Sequence, residues 1–99
     1  MTPCAERILM PLQRRFATTI CGANYTLVIA QNWATYSEDE RLHHLRVIHD
    51  MAERAGIQPL SNWENQSLLA ESHTVAPAED KARVDAELQS ILDQDGIEW

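Results

Sequence analysis

Lysine is almost missing from these 99 residues: seven of the eight basic side chains are arginine, and Lys81 is the exception. Glycine is scarce as well, with Gly22, Gly56 and Gly96 each standing alone. A loop that cradles phosphate needs clustered glycines, so that class of nucleotide site is excluded. Only two cysteines occur, Cys4 and Cys21, seventeen positions apart. Two cysteines make no disulfide framework, and without a close Cys-x-x-Cys pair a structural zinc site has no anchor. No stretch approaches the ~18 apolar residues that a transmembrane helix requires. The short run Ile8–Leu12 is interrupted by Pro11 and followed by Arg14 and Arg15, unlike the longer apolar core of a secretory signal. These features together read as a cytoplasmic protein with free thiols and no membrane segment.

What the chain does have is acid. Fifteen Asp and Glu face eight Lys and Arg, a net charge of −7. The charge is uneven: residues 1–36 carry +2, through Arg7, Arg14 and Arg15 against Glu6, while residues 37–99 carry −9. Nucleic-acid affinity comes mainly from basic side chains displacing counterions, so this balance disfavours direct DNA or RNA binding. A basic surface on another protein suits it better. With 44% hydrophobic and 23% charged residues the composition is globular. A chain of this length reads as one domain, 1–99, whose core is too small for a two-lobed enzyme.

The clearest element runs from Ser37 to Ala55. Ser37 with Glu40 spells a capping box, Glu38 and Asp39 suit the positive end of a helix dipole, and Gly56 supplies the stop. At helical spacing Leu42, Leu45, Ile48, Met51, Ala52 and Ala55 share one face, with Asp39, His43, Arg46, Asp50, Glu53 and Arg54 opposite. Ser61 and Glu64 repeat the capping signature, predicting a second helix from Asn62 to about Ser72 with Trp63, Leu68 and Leu69 towards the core. From Ala78 to about Gln94 the residues Val84, Leu88, Ile91 and Leu92 form a narrow stripe, with Glu79–Arg83 and Arg83–Glu87 expected to pair across one turn.

The first third is ambiguous. Segments 16–21 and 25–30 are rich in β-branched and aromatic residues around Gly22-Ala23-Asn24, which fits a hairpin. Tyr25, Ile29, Trp33 and Tyr36 instead recur at helical spacing, with Asn24 as a cap. The helical reading is preferred. The expected fold is therefore mainly α, a small single-domain bundle of three to four helices. Its alternative is α+β, with an N-terminal β-hairpin at about 16–30 packed on helices. Residues 1–11 and 95–99 are expected to be loose termini.

Chemistry has few footholds. Glu40 and His43 stand at i and i+3, the spacing of carboxylate–histidine pairs in di-iron bundles. Such a site needs a second pair from another chain, and His43 falls on the polar face, so a helix cap and a solvated imidazole are the preferred reading of the two residues. Arg41 and His44 fall inside the apolar arc of the same helix. They either settle at the core edge, with His44 on a backbone carbonyl and the Arg41 head in water, or meet a second chain. Cys4 and Cys21 lack a local catalytic motif, and no cofactor is implied.

The function expected from these residues is that of a small acidic, non-enzymatic protein-binding module. It would act as an inhibitor or regulator by occupying a partner's basic surface. Arg41, His44, Glu79, Asp80, Glu87, Asp93 and the terminal Trp99 are its candidate contacts. One form is a nucleic-acid-mimicking antagonist, which in size and charge alone is similar to small phage-encoded inhibitors of host defence. The alternatives are an oligomeric helical metal-binding protein built on Glu40 and His43, and a small dimeric DNA-binding regulator using the N-terminal arginines. A homodimer is compatible with all three.

Overall fold

A computed structural model describes residues 3–71 and 77–94 of the chain. Helix α1 spans Pro3–Arg15, α2 Ile20–Gln31, α3 Glu38–Ala55, α4 Asn62–Ala70 and α5 Ala78–Gln94, with a short 3₁₀ turn at Trp33–Thr35 between α2 and α3. The protein is mainly α, as its periodicity indicates. Among the described residues it has five α-helices rather than three to four, because the N-terminal third supplies two.

Residues 3–11, expected to be loose, belong to α1. Ala5, Leu9, Leu12 and Phe16 recur at intervals of four, three and four, and all four are buried. That stripe holds the helix across Pro11, which lies exposed on its outer side. A mid-helix proline forfeits one backbone hydrogen bond and costs about 3 kcal/mol, an amount that burial of several apolar side chains exceeds.

Residues 16–30 form no hairpin. Helix α2 begins at Ile20, five residues before the expected start, and packs on α1, α3 and α5. Cys21, Gly22, Tyr25, Thr26, Val28, Ile29 and Ala30 are all buried. A helix covered on several sides needs no polar face, and so shows no one-sided stripe. Gly22 is the contact that seats it. A Cβ built there would lie 2.4 Å from the Phe16 ring, so glycine is what lets α1 and α2 come together at this point.

The caps of α3 and α4 form as their sequences predict. Ser37 Oγ accepts from the Glu40 amide at 3.3 Å while the Ser37 amide donates to Glu40 Oε1 at 3.0 Å. Ser61 and Glu64 repeat the arrangement at 3.2 and 3.0 Å. Gly56 takes φ of 71°, and the Ile57 amide donates to the Ala52 carbonyl at 3.0 Å, closing α3 with a left-handed cap. Leu45, Ile48, Met51 and Ala52 are buried on α3, Leu68 on α4, Val84 and Leu88 on α5. Trp33 is buried, but Trp63 is not: it is 72% exposed. Trp63 and Leu68 stand five residues apart, roughly 140° around the helix, so seating Leu68 turns the indole outward.

Candidate functional site

Two helices meet at the acidic end of the molecule. The first turn of α3, held by its capping box, carries Glu38, Asp39 and Glu40; α5, which packs on α2 and buries Val84 and Leu88, passes close enough to it for Lys81 to reach Glu40. Asp39, Glu40 and His43 of α3 and Asp85 of α5 line an open cleft of about 350 Å³, with His44 as a further wall. Lys81 crosses from α5 and places its ammonium on Glu40 Oε2. The partners hold the Glu40 carboxyl below its ordinary value: Lys81 first, then the Ser37 amide and hydroxyl, together outweighing the upward push of partial burial.

Both oxygens of Glu40 are thus engaged, one by the helix cap and one by Lys81. His43 is exposed, 5.3 Å from the His44 ring centroid. Among the described residues no group of three or more His, Cys, Asp or Glu side chains is placed to hold a metal ion. The Glu40–His43 pair therefore meets no third ligand there.

Arg41 and His44, expected at a partner surface or at the core edge, both lie inside the chain. Arg41 is fully buried. Its Nε donates to the Trp33 carbonyl at 3.1 Å and its Nη1 to the Glu71 carbonyl at 2.6 Å, while the guanidinium stacks 5.0 Å over the Trp33 ring. The head is thus neither in water nor free for a second chain. It ties the 3₁₀ turn to the end of α4, where a cation meets the negative end of the helix dipole. Burial pulls the Arg41 pKa down, against the opposing pull of Glu71 and Glu38.

His44 is only 8% exposed. Its partner is a side chain rather than the expected backbone carbonyl: Nδ1 shares a 2.8 Å hydrogen bond with the Tyr25 hydroxyl, and the Tyr36 ring stands edge-on at 4.5 Å. Burial, then the neighbouring His43, pushes its pKa down to about 4, so the ring is neutral at physiological pH. Burial likewise raises the Tyr25 and Tyr36 phenols, and the nearby Asp85 carboxylate pushes both the same way.

The remaining expected contacts divide. Glu79, Asp80, Glu87 and Asp93 are all exposed on α5. Trp99 lies outside the described residues. Arg83 approaches Asp80, at 3.9 Å, in place of the expected Glu79 and Glu87. His49 and Glu53 pair at 3.0 Å on the outer face of α3. Asp85 was not among the sequence-derived candidates, although it completes the cleft. It stands one turn beyond Lys81, yet its place beside α3 depends on how α5 docks.

A second cleft, about 530 Å³, lies between α1 and α4, lined by Cys4, Arg7 and Ile8 on one side and Trp63, Ser67 and Glu71 on the other. Its thiol is a poor nucleophile, because burial and the Glu71 carboxylate both raise the Cys4 pKa and favour the protonated form. The chain matches no family model, no curated protein and no solved structure, so the assignment rests on its own residues.

Proposed function

We propose that this chain is a non-enzymatic protein-binding module that engages a basic surface of another protein. It acts as an inhibitor or regulator by covering that surface with the face formed by the start of α3 and by α5. One observation carries the reading: Asp39 and Glu40 converge on one open cleft with Asp85, far away in sequence, while Glu79, Asp80, Glu87 and Asp93 stay exposed along the same helix. Facing carboxylates raise the local negative potential, which steers a basic partner and sets its register. A nucleic-acid-binding protein whose basic groove this face could block is the partner class that fits best.

The test uses charge-matched variants. A linker histone serves as the basic probe, and its binding is followed against salt by interferometry. Asp39→Lys with Asp85→Lys should weaken binding by about ten-fold or more, because like charges are then brought together. Glu6→Lys with Asp50→Lys makes the same change in net charge on other exposed positions. Equal effects of the two pairs would mean that only total charge matters, and the reading would fall.

A further inference from the structure

The cleft between α1 and α4 shares no lining residue with the acidic one and differs from it in kind. Trp63, 72% exposed, gives it an aromatic wall, and Ile8 of α1 adds an aliphatic one. Its volume of about 530 Å³ falls within the range of roughly 300–1,000 Å³ usual for small-molecule sites, which join apolar walls to a few placed polar groups.

Those polar groups carry opposite charges. Arg7 and Glu71 line the same cleft, and among the described residues no ion pair engages either of them. Both act on the Cys4 thiol, Glu71 raising its pKa and Arg7 lowering it, which puts the two charges at one end of the cleft. Trp63 stands eight residues before Glu71 on α4, about 12 Å along the helix axis. Glu71 Oε2 is buried without a hydrogen-bond partner. Arg41 does not supply one: its Nη1 holds the Glu71 carbonyl, and its Nη2 is likewise buried and unpartnered. A sealed, unbonded carboxylate oxygen is costly, and rotation of the Glu71 side chain towards a donor in the cleft it lines relieves that cost.

We propose that the α1–α4 cleft binds a small zwitterion with an apolar side chain, an amino acid or a short peptide. Glu71 takes its ammonium, Arg7 takes its carboxylate, and Trp63 and Ile8 pack its side chain. A plain amine leaves Arg7 facing a like charge, and a plain acid does the same to Glu71, so only a ligand with both charges suits this end of the cleft. Binding here does not depend on the acidic face of α3 and α5.

L-Phenylalanine is the probe, titrated into the ¹⁵N-labelled full chain with affinity read from amide and indole shifts. Hydrocinnamate, which lacks the ammonium, and phenethylamine, which lacks the carboxylate, should each bind about ten-fold more weakly, the loss expected for one charge-assisted hydrogen bond. Glu71→Gln should weaken phenylalanine by a similar factor without weakening hydrocinnamate. Arg7→Gln should weaken phenylalanine without weakening phenethylamine, and its exposed position keeps this arm readable if Glu71→Gln unfolds the chain. Arg14→Gln, exposed on α1 outside the cleft, should change nothing. Phenylalanyl-alanine tests the other source of the same chemistry: tighter binding than phenylalanine assigns the cleft to peptides, weaker binding to free amino acids. Equal affinities for phenylalanine, hydrocinnamate and phenethylamine overturn the zwitterion site. So does phenylalanine that leaves Ile8, Trp63 and Ser67 unshifted near its solubility limit.

Discussion

The Tyr25 hydroxyl and His44 Nδ1 lie 2.8 Å apart in the interior, joining α2 to α3 through a neutral imidazole. A cationic ring there would lose its water without gaining a carboxylate partner, and burial accordingly pushes the His44 pKa from 6.5 to about 4. The unfolded chain therefore takes up a proton that the folded chain refuses. His44's contribution to stability is complete above pH 6.5 and is lost as the pH falls towards 4. Fully developed, the loss is roughly 3 kcal/mol. Urea unfolding between pH 7.5 and 4.5 should show it, and His44→Gln should flatten the slope in that window. Glu40, held below its ordinary value, adds a further loss only at lower pH.

Helix α2 depends on glycine at position 22. Alanine is favoured over glycine by about 1 kcal/mol in an exposed helix interior. Here its methyl carbon would meet Phe16 Cδ1 at 2.4 Å, against a ring that is itself buried. The clash outweighs the helical preference, so Gly22→Ala should destabilise the protein by about 1–3 kcal/mol. Thermal unfolding monitored by circular dichroism reads this directly. An increase in stability would show that the ring moves aside without cost.

Arg41 bridges two carbonyls through two different nitrogens, Nε to Trp33 and Nη1 to Glu71, beneath a surface that excludes water. Lysine keeps the charge but has one nitrogen, and cannot reach both in a fixed fork. Arg41→Lys should cost about 2–4 kcal/mol, mainly by leaving a buried carbonyl and a buried cation poorly paired. Hydrogen exchange should then speed up at the end of α4, where Arg41 holds the Glu71 carbonyl. Protection unchanged there would mean that Arg41 does not hold that end.

The legible parts of the fold were those written locally. The capping boxes Ser37–Glu40 and Ser61–Glu64 and the left-handed Gly56 stop depend on residues a few positions apart, and each forms as its sequence indicates. The apolar faces of α3 and α5 are equally local, and both are observed. Helix α2 was less legible because three neighbouring helices cover it, which erases the one-sided pattern and leaves a β-rich composition. Trp63 misled for a different reason: aromatic content argues for burial, while the register imposed by Leu68 turns it outward.

The candidate site was half visible. The acidic bias and the exposed carboxylates of α5 follow from composition and periodicity. That Asp85 faces Asp39 and Glu40 is a tertiary fact, set by Val84 and Leu88 docking α5 against the rest of the core. Arg41 and His44 were noticed as polar residues in an apolar arc. Their partners, two carbonyls and a tyrosine, come from other elements and cannot be read from helix spacing.

The most direct measurement is a titration of ¹⁵N-labelled protein with a basic peptide, followed by amide chemical shifts. If the acidic face is the binding surface, the largest shifts fall on Asp39, Glu40, His43, Lys81 and Asp85, and they shrink as salt is raised. Shifts that gather instead on Arg7, Ile8, Trp63 and Ser67, between α1 and α4, would contradict that account and move the interface to the other cleft.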